Sequence, residues 1–278
     1  MDADTLRQYL EFYQDLGFKT LYRQAPPAVS ESPVAGAAAA VENVALPAPP
    51  SLNVRENAGP AVTLAHGRVS AEGAPPDIAM ELPPLAPKDD TLLKIMEDIG
   101  DCRRCRLCEG RQKIVFGVGN ERSPIVFVGE GPGADEDAQG IPFVGRAGQL
   151  LTQMIEGTAK KEGISLQRSD VYIANVVKCR PPENRTPEAD EMEICGQFLH
   201  RQLQVIRPKA ICALGGTAAR AMTGRKEGVT KLRGNWYKWQ DIPVMVTYHP
   251  SYLLRAYNVQ PKREAWEDLK KLLHFAYD

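Results

Sequence analysis

The stretch Ile125-Val-Phe-Val-Gly-Glu-Gly-Pro-Gly-Ala-Asp-Glu-Asp-Ala-Gln-Gly-Ile-Pro-Phe-Val-Gly-Arg-Ala-Gly148 decides how this chain is read. Four consecutive apolar residues bounded by Pro124 and Gly129 spell a short strand buried on both faces, as in a parallel sheet. Residues 146–161 then carry a helical period, and the pattern repeats downstream. A second strand is expected over 171–177, a second helix over 187–205, and a third strand over 209–214, ended by Gly215-Gly216 and a short helix. Segments 235–239 and 243–248 read as a hairpin that delivers a fourth core strand, and 261–275 as a closing helix. Such alternation predicts an α/β fold: three layers, α/β/α, around a mainly parallel four-stranded sheet, with the functional site at the carboxyl ends of its strands.

Outward from this domain, placed at 91–278, the composition changes. Residues 25–90 hold 12 of the 22 prolines with many alanines and are expected to form a disordered linker, because they bury too little apolar surface to offset the entropy of ordering. Residues 1–24 have apolar side chains at Leu6, Tyr9, Leu10, Tyr13 and Leu16, the spacing of a short amphipathic helix that either stands alone or docks on a protein partner. The net charge of −1 conceals an asymmetry: residues 1–90 have 6 Lys/Arg against 12 Asp/Glu, and residues 91–278 have 28 against 23. A basic half is compatible with a polyanionic partner. No apolar run is long enough for a bilayer, and six cysteines without an export segment point to a reducing, cytoplasmic setting.

The chemistry-bearing residues follow strand ends. Gly129-x-Gly131-x-x-Ala134 matches a dinucleotide fingerprint, but no helix is expected directly after it. Pro132 also removes an amide donor, and Asp135, Glu136 and Asp137 would repel a pyrophosphate. Phe143, set between turns, either plugs the core or offers a stacking face to a planar ligand. Asn175 ends an apolar strand, where an amide can cap backbone or read the donor and acceptor edge of a base. His249 ends the fourth strand and is a candidate acid or electrophile. Cys102-x2-Cys105 and Cys179-x15-Cys195 can share one metal centre only if the intervening chain folds back, and four thiolates suit zinc as well as iron and sulfur.

Taken together, Gly129-Glu-Gly-Pro-Gly, Pro142-Phe-Val-Gly, Asn175-Val-Val-Lys-Cys-Arg-Pro-Pro-Glu-Asn-Arg185 and His249-Pro-Ser-Tyr-Leu-Leu-Arg255 resemble the family 4 uracil-DNA glycosylases over residues 94–276. The resemblance implies hydrolytic excision of uracil from DNA, the first step of base excision repair, by a monomer. It implies a [4Fe-4S] cluster on Cys102, Cys105, Cys179 and Cys195, with Cys105-Arg-Leu and Arg111 selecting the first pair and leaving Cys108 spare. Phe143 would stack on the flipped base, Asn175 bond its O4 and N3 edge, and His249 donate to O2. Glu130, Gly131, Glu136 and Asn184 match positions that line the pocket and handle the water. Compared with family 1 relatives, Gly131 stands where their water-activating Asp does and Gly133 where their thymine-excluding Tyr does, so exclusion of thymine would fall to the loop around Glu136. The absence of a histidine in Arg180-Pro-Pro-Glu-Asn-Arg-Thr-Pro187 sets aside the covalent uracil capture of a related branch. Lys231, Arg233 and Arg255 are candidate phosphate contacts, and Leu253 or Leu254 a candidate wedge in the duplex. The rival expectation is a non-catalytic DNA-binding or polymerase-associated module that keeps the pocket without turnover.

Overall fold

A computed structural model describes residues 89–255 and 259–278. The expected N-terminal helix (1–24) and all but the last two residues of the expected linker (25–90) lie outside the described residues. Asp90 already belongs to the folded unit, since both its carboxylate oxygens accept from Arg201, at 2.7 and 3.0 Å.

Six strands form one sheet in the order β1-β3-β2-β4-β6-β5. They are β1 (Val118–Gly119), β2 (Ile125–Gly129), β3 (Tyr172–Asn175), β4 (Ala210–Leu214), β5 (Trp236–Trp239) and β6 (Ile242–Thr247). The four expected core strands pair in parallel, with Phe127 opposite both Ile173 and Cys212, and Cys212 opposite Met245. Four strands undercounted the sheet: β5 adds the outer arm of the expected hairpin, and β1 adds an antiparallel edge to β3. A two-residue strand has no period to read. At Gly119 (φ 126°) a Cβ would stand 1.9 Å from the Val171 carbonyl oxygen, so only glycine allows that pairing.

The pleat divides the strand residues between two cores. Val126, Val128, Ile211, Ala213, Val244 and Val246 face α1 (Leu92–Ile99), α4 (Ala189–Ile206) and α5 (Gly215–Thr223). Ile125, Phe127, Ala210, Cys212, Leu214 and Met245 face α3 (Arg146–Lys161) and α8 (Val259–Tyr277). This is the expected three-layer arrangement, and it explains why these strands read as unbroken apolar runs.

Two local features depart from expectation. A short helix, α2 (Ala134–Gln139), does follow the glycine loop: Glu136 accepts from the Gly133 amide at 3.1 Å, acidic residues fill the first turn, and Gly140 (φ 81°) ends it. The second strand stops at Asn175, but its chain stays extended beside the loop, the amides of Val176 and Val177 donating to Gly129 and Glu130 at 2.9 and 3.2 Å. That continuation carries residues 175–185 across the mouth of the sheet.

Among the described residues, the remaining α-helices are the short turns α6 (Val229–Leu232) and α7 (Pro250–Leu253). Arg233, just after α6, is bound by Asp268 of α8, which is fully buried and also accepts from Thr247 at 2.8 Å. Asp268→Ala removes the only carboxylate hydrogen-bonded to that guanidinium among the described residues and leaves it the Glu264 carbonyl. It is expected to lower stability by about 3 kcal/mol, read as a shifted midpoint in urea unfolding.

Candidate active site

The carboxyl ends of β2, β3, β4 and β6 enclose a cavity of about 360 Å³. Glu130, Gly131, Glu136, Phe143, Asn175, Asn184 and His249, singled out in the sequence from four separate segments, all line it.

Phe143 and Asn175 meet over Gly129. A Cβ there would lie 2.4 Å from Asn175 Oδ1 and 2.5 Å from Phe143 Cζ, so the missing side chain is what lets ring and amide converge. The ring also faces His249, with centroids 5.6 Å apart and planes inclined by 35°. Phe143 takes a left-handed backbone (φ 54°), and its carbonyl presses on Gly148, where a Cβ would stand only 1.8 Å from the oxygen. Two side chains hold this unfavourable conformation. Glu136 accepts from the amides of Val144 and Gly145, both at 2.9 Å, besides Gly133. Arg168 donates to the Pro142 carbonyl at 2.8 Å and to Thr152 at 2.9 Å. Glu136 is thus occupied with backbone on both oxygens. Arg168 escaped the sequence reading because it lies in a turn far along the chain, with no local pattern to mark it.

Asn175 is 1% exposed, and its Oδ1 has no hydrogen-bond partner. Its own carbonyl accepts from the buried Lys178 ammonium at 3.0 Å, which also donates to Gln202 at 2.7 Å. Gln202 reaches on to the Phe116 carbonyl at 3.0 Å. The backbone behind the amide is therefore fixed while its side-chain oxygen is left to the cavity.

His249 caps α7, and its Nδ1 lies 3.2 Å from the Ser251 amide and 2.7 Å from the Ser251 hydroxyl. A backbone N–H can only donate, so Nδ1 accepts and the ring proton sits on Nε2. Burial disfavours the imidazolium and pulls the His249 pKa down to about 4, against a weaker opposing pull from Glu136. The ring is a neutral N–H donor at ordinary pH. Ser251 was not singled out in the sequence, although its place two residues after a strand-end His is the signal.

Glu130 receives the Thr217 hydroxyl from the first turn of α5. Glu183 and Asn184 both take left-handed backbone (φ 54° and 55°), and Asn184 Oδ1 accepts from Arg180 at 2.9 Å. Arg185 beside them forms a two-pronged pair with Glu191, at 2.7 and 2.8 Å.

The proposed DNA-contacting residues are not gathered in the same way. Lys231 is exposed on α6, and Arg255 is exposed with its guanidinium 5.6 Å from the Tyr252 ring centroid. Arg233 is engaged by Asp268 and by the Glu264 carbonyl at 3.1 Å. Leu253 must be withdrawn as a wedge: it is 0% exposed, within the core between β6, α3 and α8. Leu254 beside it is only partly buried.

Cys102, Cys105, Cys179 and Cys195 line a second, small cavity, shared with Cys108, Arg111 and Lys178. All six cysteines are unbridged, and Cys212 is buried within β4. Two donors already point at the sulfurs: Arg111 Nη1 at 3.5 Å from Cys179 Sγ and the Lys178 amide at 3.2 Å from Cys195 Sγ. Among the described residues, no three His, Cys, Asp or Glu side chains are drawn together tightly enough to hold a single ion. The donor set, four thiols with N–H groups directed at sulfur, fits a thiolate-bound centre.

Glu136→Ala leaves two amides of the Phe143 loop, Val144 and Gly145, and the Gly133 amide at the start of α2 without their acceptor. A loss of about 1 to 3 kcal/mol of stability is expected, measured by urea unfolding, with faster amide exchange at Val144 and Gly145.

Residues 116–270 match the family model described as the uracil DNA glycosylase superfamily. A protein of Thermotoga maritima described as a type-4 uracil-DNA glycosylase is 45% identical over 190 residues, 68% of this chain and 96% of the relative. One of Archaeoglobus fulgidus with the same description is 43% identical over 191 residues, 66% and 92% of the two chains. A DNA polymerase of Bacillus phage SP01 is 31% identical over 156 residues, 56% of this chain but 16% of its own. With its strand-end cavity, its cysteine-lined cavity and this degree of identity, the chain belongs to the uracil DNA glycosylase superfamily, alongside the type-4 enzymes.

Proposed function

We propose that this protein is a monofunctional uracil-DNA glycosylase, which hydrolyses the N-glycosidic bond of deoxyuridine flipped out of DNA, frees uracil and leaves an abasic site that starts base excision repair. The observation that carries it is the buried, partnerless Asn175 Oδ1 beside the Phe143 ring. An orphan acceptor in that position is satisfied by the N3–H of uracil, while the amide N–H₂ donates to O4. Cytosine presents an acceptor at N3 and a donor at N4, so both bonds are lost, at a cost of about 1 to 3 kcal/mol for each buried group left unpaired.

Extruding the nucleotide costs a few kcal/mol, offset by stacking on Phe143 and the edge bonds of Asn175. As the bond breaks, negative charge gathers on the departing uracil. The His249 Nε2–H, aligned by Ser251, donates to O2 at that moment, an interaction worth about 3 kcal/mol at the transition state. A neutral imidazole keeps its proton, and uracil leaves as an anion. Glu130, steadied by Thr217, and Asn184 position the attacking water, while Gly131 keeps that wall thin: a Cβ there would lie 2.8 Å from Val177 Cγ2. Glu136 acts by holding the Phe143 loop, the wall that meets the thymine methyl.

Cys102, Cys105, Cys179 and Cys195 hold a [4Fe-4S] cluster, zinc being the rival centre, and Cys108 is dispensable. Bound there, the cluster would supply a structural cross-link, Cys102 and Cys105 before β1 being tied to Cys179 after β3 and Cys195 on α4. Lys231 and Arg255 contact phosphates. The protein acts as a monomer in the cytoplasm, a location supported by the six unbridged thiols. Among the described residues, no helix is long and apolar enough to cross a membrane. Residues 1–24 serve a protein partner, a role suggested by their apolar spacing. The match to part of a phage DNA polymerase favours the rival module, which predicts binding to uracil-containing DNA without product.

Incubating the iron-replete protein with single-stranded and U:G or U:A oligonucleotides separates the two, free uracil being expected and intact DNA overturning the enzyme reading. Asn175→Ala is expected to slow release by about 10²-fold or more. Since His249 is neutral above a pKa of about 4, the rate should hold steady from pH 8 to about 5 and fall below that, where a protonated Nδ1 no longer accepts from the Ser251 amide that aligns the ring. An inflection near 6.5 would mean that burial does not hold the ring neutral. Metal analysis should find iron in a brown protein, retained in Cys108→Ser and lost in Cys105→Ser, whereas stoichiometric zinc would sink the cluster.

A further inference from the structure

Between the cysteine cavity and the pocket stands a carboxylate that neither uses directly. Glu191, on α4, is 0% exposed. Its oxygens accept both prongs of Arg185, the pocket-lining residue. Arg106, hydrogen-bonded to Asp190, also pairs with it by charge, its Nε 3.2 Å from Oε1. Oε2 also takes the Glu188 amide at 2.8 Å. Arg106 directly follows Cys105, and Glu191 lies one helical turn before Cys195. One buried group therefore touches the pocket wall, the first cysteine loop and the helix that carries the last cysteine.

The wall it holds needs holding. Glu183 and Asn184 are consecutive non-glycine residues in left-handed backbone, which persists only where surrounding contacts over-determine it. The residue immediately after them is Arg185, whose fork is matched to the Glu191 carboxylate on two parallel bonds. The other bonds of the segment are local ones, Asn184 N–H to the Pro181 carbonyl at 3.1 Å and Arg180 to Asn184 at 2.9 Å, so the Glu191 pair ties it to α4.

We infer that Glu191 is a positioning residue, through which the cysteine centre keeps the Asn184 and Arg185 wall of the pocket in place. Filling the centre fixes the Arg106 loop and the start of α4. Glu191, held between them, then clamps Arg185. The site is sensitive to the state of the centre although no reacting atom touches it. This rests on the glycosylase reading only for its kinetic consequence.

Two measurements on the full-length, iron-replete protein test it. The first is trypsin cleavage after Arg185, followed by mass spectrometry. The bond after Arg180 precedes a proline and resists cutting, so the Arg185–Thr186 bond reports the wall alone. Wild type should be protected there, and wild type stripped of iron should be cut about ten-fold faster or more. Glu191→Gln should be cut as readily as the stripped protein while keeping the iron content and visible absorbance of wild type. The second is steady-state kinetics on uracil-containing DNA, where Glu191→Gln should lower kcat about ten-fold, because Asn184, which positions the attacking water, is no longer held at the cavity.

Arg185→Lys keeps the charge and the cleavage site but not the fork, and it should behave the same way. It decides the matter if Glu191→Gln does not retain iron or does not fold. Protection at Arg185 in either iron-replete variant, or in stripped wild type, would overturn the coupling. If wild type releases no uracil at all, the glycosylase reading fails, yet the protease result still decides whether Glu191 links the two cavities.

Discussion

A buried amide oxygen with nothing to bond is the constraint around which the rest of this structure is arranged. Asn175 ends a strand covered on both faces, and its carboxamide is left to the cavity, the oxygen without a partner in the protein. Its backbone is pinned from behind by Lys178 and Gln202, and its front is crowded by Phe143 over a glycine that admits no Cβ. Leaving such an acceptor empty carries a desolvation penalty, and a ligand with an N–H in the right place removes it. The same penalty gives selectivity, because a base with the opposite edge leaves it in place.

Around that amide the protein divides its labour between groups that touch the cavity and groups that hold those groups still. Phe143, Asn175 and His249 face inward. Glu136, Arg168, Ser251, Thr217 and Glu191 each hold one inward-facing segment by hydrogen bonds or ion pairs. Left-handed backbone at Phe143, Glu183 and Asn184 marks where such support is needed. Strain of this kind lets side chains converge from loops that would otherwise relax apart.

Parts of this were legible in the chain. The apolar runs at 125–128, 171–177, 209–214 and 243–248 needed burial on two faces, and only a sandwiched parallel sheet provides it. Helix α3 kept its expected bounds because its apolar period is long and unbroken. The glycine loop misled in one respect: the acidic residues that argued against a phosphate also open a helix, since carboxylates favour a helix N-terminus. Leu253 could not be placed from its neighbours, as a residue one turn from a strand end faces core or solvent according to how α7 packs.

Layers, strand ends and the residue types gathered there can be read from the chain alone, because burial period and motif order are local properties. Which groups touch emerges only from the folded arrangement. It showed Glu136 occupied by backbone amides, Arg233 bound to Asp268, and His249 Nδ1 turned to the Ser251 amide. Arg168 and Glu191 gained their roles only there. The reason is physical: hydrogen bonds and ion pairs depend on separations of a few ångströms between residues distant in sequence, and no local pattern encodes those distances.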